Sequence, residues 1–165
     1  MKQGKTLIEL AQHLEALRGK KVDLVSDTKL MHYTADCKLI IDAEHVFAPT
    51  SHCDSQIAER LSIPAAYFRM MQEKAPALLA ANINHWFEHS EDRRMIRGID
   101  GKARAFLSDR YHRIDNEHVL ETLLPVLMET GGIEVKSCEV TENRLYIKAT
   151  STNVRMPVIS KRGVG

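Results

Sequence analysis

Apolar residues recur at helical spacing in four parts of the chain. Near the N-terminus the pattern consists of leucines three or four residues apart, at Leu7, Leu10, Leu14 and Leu17. Such spacing is typical of a helix with one buried face, and it predicts a helix over residues 5–17. The same reasoning predicts helices at residues 54–71 with an interruption at 62–64, at residues 75–89 and at residues 116–128.

Other parts of the chain alternate apolar and polar residues, as strands do. Short strands are predicted at residues 22–25, 39–41 and 46–47, ahead of two hairpins at residues 93–108 and 133–150. The first hairpin is indicated by the pair Asp100-Gly101, because Asp-Gly between two strand-like runs favours a tight turn.

Together these elements predict an α+β fold, in which an antiparallel sheet is built from the two hairpins and the short N-terminal strands. Helices are expected to pack on one face of that sheet. We expect a single domain over residues 1–150. Residues 151–165 are expected to be a basic C-terminal extension, or the start of a linker to a missing part.

Composition limits the classes of function. The chain has 165 residues, is 44% hydrophobic and carries a formal net charge of +1, so it is not a histone-like polycation. The three cysteines, Cys37, Cys53 and Cys138, are odd in number and show no CxxC spacing, which favours reduced thiols. No apolar run resembles a signal peptide or a membrane span, so the expected location is the cytoplasm, without a membrane partner.

Positive charge is concentrated in one segment. Residues 93–113 hold six Arg and one Lys against two Asp, and arginine-rich surfaces bind phosphate groups. On an ideal strand Lys102, Arg104 and Phe106 would share one face. Phe106 and Tyr111 are candidates for stacking on bases. The predicted nucleic-acid-binding residues are Arg97, Lys102, Arg104, Arg110, Tyr111 and Arg113.

Two alternatives to nucleic-acid binding stay open for this basic segment. One is a solvated strand face whose arginines pair with nearby acids, for which the sequence offers Glu91, Asp92, Glu117 and Glu121. The other is an acidic protein surface as the partner, which would act mainly on association rate and specificity.

Residues 108–113 contain four side chains of the types found in catalytic sites, namely Ser108, Asp109, Tyr111 and His112. A catalytic nucleophile and its base normally come from separate segments, so the preferred interpretation is a turn in which Asp109 accepts backbone N–H groups. Catalytic residues, cofactors and metal ligands are not assigned from the sequence, which favours a binding protein over an enzyme.

Two weaker patterns occur in the helical region. Residues 56–69 resemble a helix-turn-helix, whose second helix would present Tyr67, Arg69, Gln72 and Lys74 to DNA. His85 and His89 have the i, i+4 spacing of paired metal ligands, but the HExxH pattern is absent.

Three stretches of the chain carry a resemblance to a known family. They are residues 54–71 (DSQIAERLSIPAAYFRMM), residues 82–86 (NINHW) and residues 104–116 (RAFLSDRYHRIDN). Together they resemble the phage and plasmid family catalogued as domain of unknown function 932, whose hallmark is RAFLSDRYRRLDN. His112 stands where that hallmark has Arg. The resemblance implies a mobile-element context and no particular activity.

The expected function is therefore a nucleic-acid-binding accessory domain of a phage or plasmid, acting on single-stranded DNA in replication, recombination or annealing. The alternative is a protein-interaction module that inhibits or recruits a host factor. A third hypothesis is a nuclease using carboxylates such as Asp109, Asp115, Glu117 and Glu121. The sequence leaves homo-oligomerisation open.

Overall fold

A computed structural model describes residue 4, residues 6–141 and residues 144–153. These residues form an α+β protein, as predicted, and divide into two compact units. The first unit contains the chain up to Leu14 and the chain from Ile114 onward, while the second runs continuously from Glu15 to Arg113. The predicted extension falls mostly on residues 154–165, which lie outside the described residues.

The second unit is built on a six-stranded sheet with three helices. Its strands are β1 (Lys21–Asp27), β2 (Met31–Tyr33), β3 (Leu39–Ile41), β4 (His45–Pro49), β5 (Arg93–Ile99) and β6 (Lys102–Ser108). Its helices are α2 (Ser51–Arg60), α3 (Ala65–Lys74) and α4 (Pro76–Glu88), which follow α1 (Leu7–Arg18) at the start of the chain. The strand order is β1-β5-β6-β4-β3-β2, and every neighbouring pair is antiparallel except β4 with β6.

Helices α2 to α4 share one hydrophobic core with this sheet. Phe106 of β6 stacks on Phe87 of α4 at a ring-centroid distance of 5.9 Å, and Ile96 and Ile57 are fully buried in the same cluster. Helix α2 also completes the sheet where β4 ends. The backbone N–H of Phe106 donates to the Gln56 side chain at 2.8 Å, so a helix side chain replaces the missing strand.

The first unit contains the end of the chain and a separate core. Its elements are the start of α1 together with α5 (Asn116–Glu129), β7 (Ile133–Val140) and β8 (Leu145–Ser151). Leu10, Leu14, Leu120 and Cys138 are buried together there. The sequence predicted one sheet containing both hairpins. In the structure β7 and β8 form a two-stranded sheet of their own, because their apolar face packs with α1 and α5.

None of the helices in the described part of the chain combines the length and apolar character needed to cross a bilayer.

The outer edge of β2 is closed by a side chain of α4. The N–H of Tyr33 donates to Asn84 Oδ1 at 2.7 Å, and Asn84 Nδ2 donates to the Tyr33 carbonyl at 2.9 Å. Asn84 thereby gives both backbone groups of an edge residue the partners that another strand would supply. This pairing ties the edge of the sheet to the helical layer.

We predict that Asn84→Ala lowers the free energy of unfolding by about 1–3 kcal/mol, because it leaves the two Tyr33 backbone groups without partners. Urea denaturation would measure the change. The matched control is Asn82→Ala, an exposed asparagine of the same helix, which should change stability by less than about 0.5 kcal/mol. Equal effects of the two substitutions would contradict the role assigned to Asn84.

Candidate functional site

The basic hairpin of β5 and β6 contains a β-bulge that decides where its side chains point. Arg97 pairs with Ala105 but Gly98 pairs with Ala103, so Arg104 is the extra residue of β6. The bulge lets Ala103 and Phe106 both lie in the core beneath the helices. The predicted alternation, with Lys102, Arg104 and Phe106 on one face, was therefore wrong, because a bulge shifts the two-residue period of a strand.

Arg97 and Arg113 meet at a common carboxylate. Arg97 Nε lies 3.2 Å from Asp23 Oδ1, and Arg113 Nη1 lies 3.2 Å from Asp23 Oδ2. The Asp23 side chain is only 11% exposed and that of Arg97 is 19% exposed, whereas Arg113 is 57% exposed. Arg97 is thus held inside a structural ion pair, while Arg113 still offers much of its guanidinium to solvent.

Other arginines of the hairpin are also paired with acids. Arg93 Nε lies 3.3 Å from Asp27 of β1. Arg94 Nη2 lies 3.2 Å from Asp92, which also accepts hydrogen bonds from Arg60. The contact with Arg60, reinforced by Arg94, lowers the pKa of the Asp92 carboxyl. Asp92, one of the four acids named under the alternative of a solvated strand face, does pair with Arg94. The partners on β1 were not among those acids.

The remaining predicted cations do not gather at one point. Lys102 is exposed at the first residue of β6, next to the Asp100-Gly101 turn. Arg110 is exposed beyond the last residue of the same strand. Strand β6 is seven residues long, so its two ends lie about 20 Å apart. Arg104 lies between them at the bulge and is half-buried. Lys102 and Arg110 therefore belong to opposite ends of the hairpin.

Residues 110–113 form an exposed basic and aromatic segment. Arg110, Tyr111, His112 and Arg113 are all exposed, and Tyr111 keeps 42% of its surface accessible. Of the two predicted stacking residues, only Tyr111 is accessible. Phe106 is 4% exposed, because it packs against Phe87 in the core and lies under the Arg94 guanidinium.

The turn before this segment is organised by Ser108. Its side-chain oxygen accepts the Arg110 N–H at 3.3 Å, and its carbonyl accepts the Tyr111 N–H at 3.0 Å. Asp109 was expected to accept backbone N–H groups, but its carboxylate accepts the Ser108 hydroxyl instead. Ser108, Asp109 and His112 therefore form part of a surface turn.

The helical corner predicted as a helix-turn-helix is present as α2 and α3. Ser62 in the turn has a φ of 56°, which allows the sharp change of direction. Tyr67, Arg69 and Lys74 are exposed on α3, as the prediction requires. Gln72 is not available for DNA, because its side chain donates to Asp54 at 2.8 Å and to Tyr33 at 3.3 Å.

Asp54, Tyr33 and Gln72 form a polar cluster that sequence reasoning missed. The Tyr33 hydroxyl, which is fully buried, donates to Asp54 Oδ1 at 3.0 Å. Burial raises the pKa of the Asp54 carboxyl, although the hydrogen bonds from Gln72 and Tyr33 act in the opposite direction. Burial and the nearby Asp54 charge also raise the pKa of the Tyr33 hydroxyl. No local pattern could reveal the cluster, since its members come from β2, α2 and α3.

His85 lies on the exposed side of α4 next to Trp86, and His89 follows the last residue of that helix. The two imidazole rings are 4.4 Å apart between centroids, and His89 Nδ1 lies 2.7 Å from the His85 carbonyl. The described residues contain no group of three His, Cys, Asp or Glu side chains that could hold a metal ion. All three cysteines are free thiols.

A scan against protein-family models, a search of curated proteins and a search of solved structures each find no match for this chain. The resemblance drawn from the sequence stays a prediction.

We predict that Asp23→Asn lowers the free energy of unfolding by about 1–3 kcal/mol, because it removes the largely buried negative charge that both Arg97 and Arg113 contact. The matched control is Asp27→Asn, which removes an exposed pair with Arg93 on the same strand and should cost no more than about 1 kcal/mol. Chemical denaturation at low and high salt would separate the two. Equal losses would show that the Asp23 pairs are no stronger than an ordinary surface pair.

The raised pKa of Asp54 predicts a particular pH dependence of stability. The folded chain binds this proton more tightly than the unfolded chain, so ionisation of Asp54 in the folded state opposes folding. The contribution of Asp54 to stability should therefore fall as pH rises from the ordinary aspartate pKa through the raised value.

Urea denaturation at a series of pH values, compared with Asp54→Asn, isolates this contribution. Asp54→Asn should lose the part of the fall in stability with rising pH that ionisation of Asp54 causes. Asp109→Asn, at an exposed turn position, should retain that fall. Parallel stability curves for the wild type and Asp54→Asn would rule out the assignment.

Proposed function

We propose that this chain is a nucleic-acid-binding accessory protein and that residues 110–113 contact single-stranded DNA. The observation that carries the proposal is the exposure of Tyr111 between Arg110 and Arg113 in the second unit. An aromatic ring flanked by cations offers a stacking surface for a base together with donors for its phosphates.

A single strand suits this segment better than a duplex. Stacking on Tyr111 requires a base whose face is accessible, and bases in a duplex are already stacked on their neighbours. Stacking on an aromatic side chain is worth about 1–3 kcal/mol per base and tolerates any sequence. The segment would therefore bind with little sequence preference.

The ion pairs of the hairpin limit how many phosphates can be neutralised. Arg93, Arg94 and Arg97 already have carboxylate partners, and releasing them would cost those contacts. Arg110 and the exposed part of Arg113 remain as the principal cations of the segment. With about two phosphates contacted, log K should change with log salt by a slope of about −1.4 for a single strand.

The biological setting of the proposal comes from the sequence resemblance to a phage and plasmid family. In such a setting, single-stranded DNA arises during replication, recombination and annealing. The chain itself would bind the DNA, and other proteins would carry out the reactions on it.

We predict that Tyr111→Ala weakens binding to a fluorescently labelled single-stranded oligonucleotide by about 5- to 150-fold, because it removes one stacked base. Arg110→Ala should weaken binding and make the salt slope shallower by about 0.7, the share of one phosphate. Fluorescence anisotropy over a salt series measures both effects, with a duplex of the same sequence as the comparison.

The matched controls are Tyr67→Ala and Arg69→Ala, which remove an exposed tyrosine and an exposed arginine from α3. They should leave binding unchanged. If they weaken binding while the substitutions at 110 and 111 do not, the helical corner is the DNA-binding element. Absence of binding at low salt would end the proposal.

A second function is favoured by a different observation. Exposed apolar side chains lie on α3 and α4, namely Tyr67, Met70, Leu78 and Trp86. Trp86 is 50% exposed, and exposed aromatic residues are common at the centre of protein interfaces. A host protein that is retained after nuclease treatment, and lost with Trp86→Ala but kept with Tyr111→Ala, would favour an interaction module over nucleic-acid binding.

A further inference from the structure

The two outer strands of the six-stranded sheet differ in length and in how the backbone groups along their outer edges are hydrogen-bonded. At the β2 edge, Asn84 bonds both backbone groups of Tyr33, and the Met31 N–H donates to the Thr28 carbonyl of the adjoining 3₁₀ turn. This edge is three residues long. It is therefore short and largely satisfied within the chain.

The opposite edge, β1, is seven residues long and follows β5 in an unbroken register from Lys21–Ile99 to Asp27–Arg93. Hydrogen bonds at its two ends show which residues bond to β5. Asp100 N–H donates to the Lys20 carbonyl, and Thr28 N–H donates to the Asp92 carbonyl. Antiparallel strands alternate, so the even-numbered residues of β1 bond to β5 and the backbone groups of Asp23 and Val25 point away from the sheet.

No strand lies beside this outer edge in the part of the chain that the structure describes. Val22 and Val25 are each about 40% exposed. A long, regular edge without proline or bulge is a template for pairing with another strand. A strand that pairs with β1 must have charges complementary to the charged residues of β1, which are Lys21, Asp23 and Asp27.

We propose that β1 pairs antiparallel with β1 of a second copy of this chain, with Leu24 facing Leu24 across a two-fold axis. In this register all seven residues pair, and Lys21 of each copy lies opposite Asp27 of the other. Opposite charges at directly facing positions stabilise a strand pair. The result is one continuous sheet through both copies.

The neighbouring registers are disfavoured by charge. If the two-fold axis passes through Asp23, the Asp23 residues of the two copies face each other. If it passes through Val25, Asp23 of each copy faces Asp27 of the other. Like charges at facing positions are destabilising. The register centred on Leu24 is therefore favoured, because all seven residues of β1 pair in it and neither acid faces another acid.

Sedimentation of the nuclease-treated chain over a range of concentrations tests the proposal, since nuclease treatment removes any nucleic acid that could bridge two copies. We expect a monomer–dimer equilibrium. Lys21→Asp and Asp27→Lys should each weaken the dimer by about tenfold or more, because each places two like-charged pairs at the interface. The double variant restores opposite charges and should recover most of the affinity. Thermal melts of each variant check that it folds.

Amide hydrogen exchange followed by NMR provides a second readout that does not depend on the variants. The Asp23 and Val25 amides should become protected as the concentration rises, whereas the Leu24 amide, which bonds to β5, should be protected at every concentration. A chain that stays monomeric, a dimer in which the Asp23 and Val25 amides exchange freely, or a double variant no better than the singles would each overturn the proposal. Nucleic-acid binding is measured separately, so its loss or retention does not affect this result.

Discussion

The β-bulge at Arg104 is the constraint on which the arrangement of the hairpin depends. The bulge puts Ala103 and Phe106 on the same side of β6, where both reach the core. Opposite it, Gly98 has no room for a side chain, since a Cβ there would lie 2.6 Å from the Phe47 ring. The missing side chain at Gly98 lets the backbone of β5 lie directly against the Phe47 ring of β4.

One consequence is that the positive charge of residues 93–113 is partly neutralised by acids that the fold brings next to them. Arg93 and Arg97 of β5 lie beside β1, which contributes Asp27 and Asp23 to the same side of the sheet. A strand pair therefore brings acids to a segment that looks uniformly basic when read alone. What stays accessible is the short stretch after β6, where the chain leaves the sheet and Tyr111 is no longer covered.

The features that could be predicted depend on residues close together in the sequence. The Asp100-Gly101 turn has positive φ at both residues, as the dipeptide indicated, and the interruption near Pro64 does separate two helices. The bulge could not be predicted, because the sequence of β6 is equally compatible with regular alternation and with a one-residue shift. Only the packing against Phe87 and Phe47, which are distant in the sequence, distinguishes the two. Asp23, which accepts a hydrogen bond from Arg97, lies 74 positions away, and no local pattern indicates this contact. The same limit applies to Tyr33, Asp54 and Gln72, and to the division of the hairpins between two sheets.

The division of the chain into units has a consequence for synthesis on the ribosome. The second unit is continuous from Glu15 to Arg113, whereas the first unit joins the start of α1 to residues that follow Ile114. Leu10 and Leu14 are buried with Leu120 and Cys138, so they have no partners until the last third of the chain has emerged. Domains generally fold as units during translation. The second unit can therefore complete its core first, while the apolar face of the nascent N-terminal helix stays exposed until α5 and β7 have been synthesised.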